Sequence, residues 1–425
     1  MRRGALAPLL CAALAAPAAA QQVDVTLADA IQRALAAQPA MVSSLGEVRN
    51  ANATKRGAWG AFLPSLSMSA SALNSSSGRI DPSTGLPLPA NSYTGTLSAS
   101  LNLFDGFNRI FNVKASSAAS DAAAAGLVNQ RYQTTLATQQ SFFTALANEA
   151  LVRVAQANFD RSKEALQIAV NRFQAGAATR SDTLTAVVDL GNARLALLQA
   201  QANLATAQGN LARQIGVNGS ARAVADSTFP PLPDTAGLRA AALAKAPIVT
   251  QADAQARAAS ADVWNARSQY WPSFTVGYST TSTGTNSPQL PILSSPEAHA
   301  WRFALTWTLF DGLQRERSQV SASAARDLAN AQAADARRQV DAQLTQYLAG
   351  VFTAYAQIGI SDANVDAAAE ALRVQQERYR LGAGTLLDLL TAESDMTQAQ
   401  VLQVQARYNY VTARAQVEAL VGRAL

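Results

Sequence analysis

Two stretches of the chain alternate strictly between polar and apolar positions. Ser65 to Ala72 reads Ser-Leu-Ser-Met-Ser-Ala-Ser-Ala. From Tyr93 to Leu103 the odd positions are Tyr93, Gly95, Leu97, Ala99, Leu101 and Leu103, against Thr94, Thr96, Ser98, Ser100 and Asn102. The pattern returns with Phe274, Val276 and Tyr278, then with Trp301, Phe303, Leu305, Trp307 and Leu309 against Arg302, Ala304, Thr306 and Thr308. A period of two sets one face on an apolar medium and the other on water. Segments of about ten residues suit tilted strands of a membrane barrel, whereas a soluble β-sandwich would turn the apolar face to a second sheet. Aromatic residues gather at the segment ends. Phe62, Phe104, Tyr270, Trp271 and Phe310 form one predicted interfacial girdle in contact with membrane lipid, with Tyr93 and Trp301 toward the other. The connections Ser75 to Ser92 and Thr281 to His299 are rich in Gly, Pro, Ser and Asn and read as exposed loops.

The rest of the chain switches to helical spacing. No proline falls between Gly106 and Gly176, so one helix of roughly 100 Å is expected there. From Leu184 a seam runs through Val188, Gly191, Leu195, Leu198, Ala202, Ala205, Gly209, Ala212 and Gly216, in steps of four and three. Val340, Leu344, Tyr347, Val351, Ala354 and Ile358 keep the same rhythm and continue through Val365, Ala368 and Leu372. That is the 3.5-residue repeat of a coiled coil. So long an apolar stripe must pack lengthwise on neighbouring helices, in a tunnel wall or in a plain antiparallel bundle.

The chain also repeats itself. Leu103-Phe104-Asp105-Gly106 returns 206 residues later as Leu309-Phe310-Asp311-Gly312. At the same offset Arg172-Phe173-Gln174-Ala175-Gly176 becomes Arg378-Tyr379-Arg380-Leu381-Gly382, Asp182 becomes Asp388, and Ile215-Gly216 becomes Val421-Gly422. Leu63-Pro64-Ser65-Leu66 matches Trp271-Pro272-Ser273-Phe274 at a nearly equal offset. Ordered matches at constant spacing mark a duplication. The expected layout is a first repeat at 21–225 with its hairpin at about 62–104, a Pro-rich linker at 226–236, and a second repeat at 237–425 with its hairpin at about 272–310. Pro64 and Pro272 should end helices and start strands. Asp105 and Asp311 should N-cap the long helices.

Composition narrows the function. Residues 1–20 read as a secretory signal peptide: Arg2 and Arg3, an apolar run from Leu6 to Leu14, and Ala18-Ala19-Ala20 before the cut. Removing them takes the formal charge from +5 to +3 and takes away Cys11, the only cysteine. Leu10 before that cysteine argues against a lipid anchor. No later stretch is apolar enough for a spanning helix, so any membrane crossing must use strands. Arginines dispersed among Ala and Gln do not suit nucleic acid. The single histidine, His299, is expected to be solvated, and neither metal-ligand spacing nor a nucleophile or phosphate motif appears. The chain reads as a conduit or scaffold without cofactor or catalytic chemistry.

Export, two membrane-length hairpins and long coiled-coil helices together predict a mixed fold: a membrane β-barrel joined to a long α-helical coiled-coil barrel. Four strands per chain cannot close a barrel, and open edges in lipid cost several kcal/mol per unsatisfied group. The chain must therefore oligomerise. These features resemble the TolC-like outer-membrane efflux proteins. The resemblance rests on the duplicated helix–hairpin–helix order, the Leu-Pro-Ser and Trp-Pro-Ser strand starts, the two Leu-Phe-Asp-Gly exits and the paired Arg-aromatic turns followed by Asp182 and Asp388. It implies a homotrimer with a twelve-stranded barrel, passing substrates of small-molecule efflux or type I secretion. It also implies a periplasmic adaptor and an inner-membrane transporter of the RND or ABC type as partners. The turns at Gly176 and Gly382 then lie at the far tip of the tunnel, where the family keeps its gate. By resemblance, Tyr379 is the gate tyrosine, Ser181 and Asp182 are its polar partners, and Asp388 belongs to an acidic ring. The family's gate arginine falls on Gly384 and a second ring aspartate on Thr391, leaving Arg180 as a substitute donor. Without a pore, the same features would suit a structural or adhesive periplasmic coiled-coil protein.

Overall fold

The computed structural model describes residues 22–75, 80, 83, 85, 90–224, 230–232, 237–284 and 298–425. The predicted signal peptide with Cys11, most of the linker and most of both loops lie outside the described residues. In chain order the elements are β1 (Val23–Val25), α1 (Leu27–Ala37), α2 (Pro39–Gly60), β2 (Ser65–Asn74), β3 (Asn91–Asp105), α3 (Asn108–Gln174) and α4 (Arg180–Gln214). Then follow β4 (Ala221–Ala223), α5 (Leu238–Lys245), α6 (Pro247–Ser268), β5 (Ser273–Gly284), β6 (Ala298–Thr306), α7 (Gln314–Arg380) and α8 (Leu386–Val421). Both α3 and α7 run for 67 residues, about 100 Å each.

β2, β3, β5 and β6 form one antiparallel sheet in that order, leaving β2 and β6 as edges. The register explains the sequence alternation. Leu66 pairs with Ala99, Ala99 with Tyr278, and Tyr278 with Trp301; Leu101 pairs with Val276 and Val276 with Phe303. Directly paired residues share a face, so all four apolar rows merge into one. A bulge after Asn102 returns Phe104 to that face opposite Phe274. The other face is a ladder of hydroxyls and amides, with Ser65 and Ser100 2.7 Å apart, Ser67 and Ser98 2.8 Å apart, and Thr275 donating to Asn102 at 2.7 Å. No second sheet covers the apolar face among the described residues: Leu66, Trp301, Phe303 and Leu305 are all exposed. A soluble sandwich is therefore not the architecture. β6 ends at Thr306, short of the predicted Leu309. There the Trp307 indole N–H donates to the Tyr270 carbonyl instead of continuing the ladder. His299 sits exposed on β6, opposite Thr280. Pro64 and Pro272 stand between helix and strand, as expected.

The long helices start in an unforeseen way. Their N-caps are Phe107 and Leu313, both in the left-handed region, not Asp105 and Asp311. Each aspartate still captures a free helical amide from further upstream: Asp105 accepts from the Arg109 N–H and guanidinium, Asp311 from those of Arg315. The chain bends sharply before entering the helix, so the carboxylate reaches over the turn. Around this junction Phe104, Phe107 and Trp271 pack edge to face, while Arg109 lies over Phe62 and Arg315 over Tyr270. Trp301, expected at the opposite girdle, lies mid-strand against Tyr278; Tyr93 is near the far end, opposite Gly284.

The helical part has its core in three clusters. Val340, Leu344, Val351 and Ala354 of α7 pack with Tyr410, Val411 and Val417 of α8 and with α5 and α6. Phe142, Leu146, Leu211 and Ile215 pack around the small parallel sheet of β1 and β4. Ala165, Ala169, Leu372, Tyr379, Leu386 and Leu389 fill the tip. The α7 seam read from sequence is largely this buried face. The α4 seam is not. Leu184, Val188, Leu195 and Leu198 are exposed, while α4 buries Ala186, Ala193, Leu197, Ala207 and Leu211. At 100° per residue these two stripes lie on opposite sides of the helix. α3 covers the alanine-rich stripe, and the leucine stripe has no partner among the described residues.

Candidate functional site

The far end of each helical pair closes by the same local chemistry. After α3, Gly176 takes φ 73° while its N–H bonds the Phe173 carbonyl, and Ala177 N–H bonds that of Arg172. After α7, Gly382 takes φ 80°, with matching bonds to Tyr379 and Arg378. This is the left-handed glycine stop of a helix. α4 then begins with Thr179 capping the Asp182 amide at 3.1 Å while the Asp182 carboxylate accepts from the Thr179 N–H at 2.9 Å. Thr385 and Asp388 do the same at α8, at 3.2 and 3.1 Å. Both aspartates are thus capping-box acids. Hydrogen bonds from the Thr385 hydroxyl and backbone hold Asp388 below the usual carboxylate range, and the charge of Arg378 adds to this.

Between the two turns the chain brings Tyr379 and Arg172 together. Tyr379 is only 2% exposed, and its hydroxyl is out of solvent with no hydrogen bond of good geometry. Arg172 reaches across from α3. One guanidinium nitrogen donates to the Tyr379 carbonyl at 2.7 Å, the other to the Ala177 carbonyl at 3.2 Å, and the group lies 4.5 Å over the Tyr379 ring. Burial pushes the phenol up; the Arg172 charge opposes this and that of Asp182 adds to it. Asp182 and Tyr379 therefore share one electrostatic neighbourhood. Ser181 and Arg180 are exposed on the first turn of α4, and Arg180 reaches no hydrogen-bond or ion-pair partner among the described residues. At Gly384 a Cβ would come within 3.2 Å of the Arg378 Cβ and 3.4 Å of the Tyr379 nitrogen. Any side chain at 384 would require the end of α7 to give by a few tenths of an ångström. Thr391 is exposed and bonds back to the Leu387 carbonyl.

One group was missed in the sequence, although it interrupts the apolar register of Leu386, Leu389 and Met396. Glu393 of α8 is 4% exposed, and its Oε2 finds no partner. Arg161 of α3 faces it but donates instead to Thr397 at 3.0 Å, leaving its Nε unpaired. Burial first, then the charge of Asp189 on α4, push Glu393 up to about 7; Arg161 opposes this and Glu164 adds to it. Burial likewise lowers Arg161, against the pull of Glu393. In the first repeat the position of Glu393 is held by Val187, which is exposed.

An unclosed sheet with a bare apolar face, continuous with two long helical pairs that meet at a capped tip, is the architecture of a duct wall. The sequence model of the outer membrane efflux protein family matches residues 30–217 and 238–423. The chain belongs to that family. Pyoverdine export outer membrane protein OpmQ of Pseudomonas aeruginosa is 28% identical over 286 residues, which are 63% of this chain and 56% of that protein. The matched stretch thus spans little more than half of this relative's length. Outer membrane efflux protein BepC of Brucella suis is 24% identical over 76% of this chain and 72% of its own. The outer membrane protein VceC of Vibrio cholerae shares the fold, with a TM-score of 0.78 at 21% identity over 94% of this chain and 96% of that one. Family and fold place the protein in the outer membrane, with its helical part in the periplasm. No described helix is long and apolar enough to cross a membrane.

Proposed function

We propose that three copies of this chain close a twelve-stranded barrel and form an exit duct, which carries substrates from an inner-membrane transporter through the periplasm to the outside. The observation behind this reading is the four-stranded sheet itself. Its apolar residues form one uncovered face, its edges β2 and β6 are unpaired, and both defects vanish only when other copies complete the ring. The uncovered leucine stripe of α4 asks for the same neighbours. Transport is passive, with energy supplied by a pump of the RND or ABC type and an adaptor bridging the two. Relatives named for pyoverdine export and for efflux favour small-molecule export over type I secretion. The tip is the gate: Tyr379 with Asp182 and Ser181 holds the hairpins together, and Asp388 contributes to an acidic ring at the mouth.

Membrane extraction and planar-bilayer recording test the duct. A closed barrel requires detergent for release and gives discrete channels after reconstitution. Release by salt or alkali, with no conductance, would instead establish a pore-free periplasmic scaffold.

A further inference from the structure

Only half of the tip chemistry is satisfied inside one chain. Arg378 occupies in α7 the place of Arg172 in α3, and Phe173 occupies the place of Tyr379. Arg378 already makes one of the bonds its counterpart makes: its guanidinium donates to the Ala383 carbonyl at 3.4 Å, as that of Arg172 does to Ala177. Among the described residues Arg378 has no counterpart of the contacts that Arg172 makes with the Tyr379 ring and carbonyl. Phe173 is 45% exposed where Tyr379 is 2%. The cause is the helix order. α3 packs along α8 within the chain, whereas α4 and α7 share no comparable interface among the described residues, and Phe173 and the leucine stripe of α4 both stay exposed. Because α3 and α7 have the same length and begin at one constant offset, the in-chain step from first to second repeat, applied again, sets α7 against α4 of the next copy.

We propose that Arg378 clasps Phe173 of a second copy as Arg172 clasps Tyr379 within the chain, so that a ring of alternating Arg–Tyr and Arg–Phe clasps holds the tip shut. This rests on the gated-duct reading above. A guanidinium over an aromatic face is attracted by the ring quadrupole. Its planar fork can bond a backbone carbonyl at the same time, which a lysine ammonium cannot match. The clasp also supplies a basic group at a tip where position 384 is a glycine. Arg172 and Arg378 act on the gate through the rings they hold, so they are positioning residues.

Single-channel recording of the purified full-length protein tests the pair. Arg378→Ala and Phe173→Leu should each raise open probability roughly tenfold, as three copies of an exposed cation–π contact give way together. The double variant should go no further than either single, because both remove one contact. Arg378→Lys should not restore closure. Additive effects, or a silent Phe173→Leu, overturn the clasp. If either variant dissociates on purification, Phe173→Cys with Arg378→Cys on a Cys11→Ser background reads the contact through a short bismaleimide. Covalent multimers on a denaturing gel uphold it, and monomers alone overturn it. A channel that responds to Asp182→Ala or Tyr379→Phe but not to Phe173→Leu refutes the clasp alone. One deaf to all of them refutes the gate as well.

Discussion

Glu393→Gln should change how the helical part responds to pH. Glu393 lies in the seam between α3 and α8, faced by Arg161 and Glu164 of α3 and by Asp189 of α4. Its carboxyl is raised from 4.5 to about 7, and at about 1.4 kcal/mol per unit that amounts to roughly 3 kcal/mol. The folded value lies above the unfolded one, so the protonated acid favours the packed seam. Its contribution is complete below pH 4.5 and is lost as pH rises through about 7. Arg161 does not reverse this, because burial lowers its own affinity for a proton and the one bond it donates here goes to Thr397. Thermal unfolding of the detergent-solubilised protein, followed by helical circular dichroism from pH 5.5 to 8.5, reads the effect. The wild-type midpoint should fall by several degrees across this range. Glu393→Gln keeps the shape without the charge, so its midpoint should be nearly flat and should exceed the wild type at pH 8.5. An equal slope in both proteins, or a variant selectively weakened at pH 8.5, would refute the reasoning. The second outcome would mean that an ionised Glu393 stabilises Arg161 as a true ion pair.

Three further outcomes follow from the tip and the helix faces. Asp182→Ala removes one half of a capping box, worth about 1 kcal/mol, together with a charge acting on Tyr379. It and Tyr379→Phe should each raise single-channel conductance, and unchanged conductance in both would exclude the gate role. Asp388→Ala removes three negative charges from the mouth of a trimer, so reversal potentials in a salt gradient should shift toward lower cation selectivity. Leu195→Asp puts a charge on the bare leucine stripe, at a side chain 66% exposed in the single chain. A monomer would tolerate it within about 0.5 kcal/mol, but a trimer packed through that face should dissociate in size-exclusion chromatography with light scattering.

The strands were almost wholly legible in the sequence, because a period of two leaves one choice of face and a single register then aligns all four rows. Three details escaped: the bulge after Asn102 puts Phe104 and not Leu103 in the apolar row, Trp301 lies mid-strand, and at the end of β6 Trp307 and Leu309 keep the alternation but the indole turns to Tyr270. Helix periodicity was just as clear, yet it does not name the partner. α4 is apolar on two opposite sides, and the stripe with the larger side chains looked like the core. Within the chain α3 takes the alanine side, where small residues allow close approach, and the leucines stay exposed. Asp182 and Asp388 show the converse ambiguity. Thr-x-x-Asp at a helix start announces a capping box, and the resemblance announces a gate, and one carboxylate can serve both. Arg172 was visible only as half of a repeated word, and its reach to Tyr379 depends on two turns meeting in space. Glu393 was missed although its spacing carried a signal: it stands four residues after Leu389 and seven after Leu386, in the apolar register that α8 buries, but an acid there reads as a solvated interruption until another helix crosses it. That Val187 stands at the same place in the first repeat adds a last step. The two helical pairs keep nearly equal length and the same turn chemistry, but α8 carries a buried acid where α4 carries an exposed valine, so in the proposed duct the pH response is expected from the seam inside each copy and not from the leucine stripe of α4.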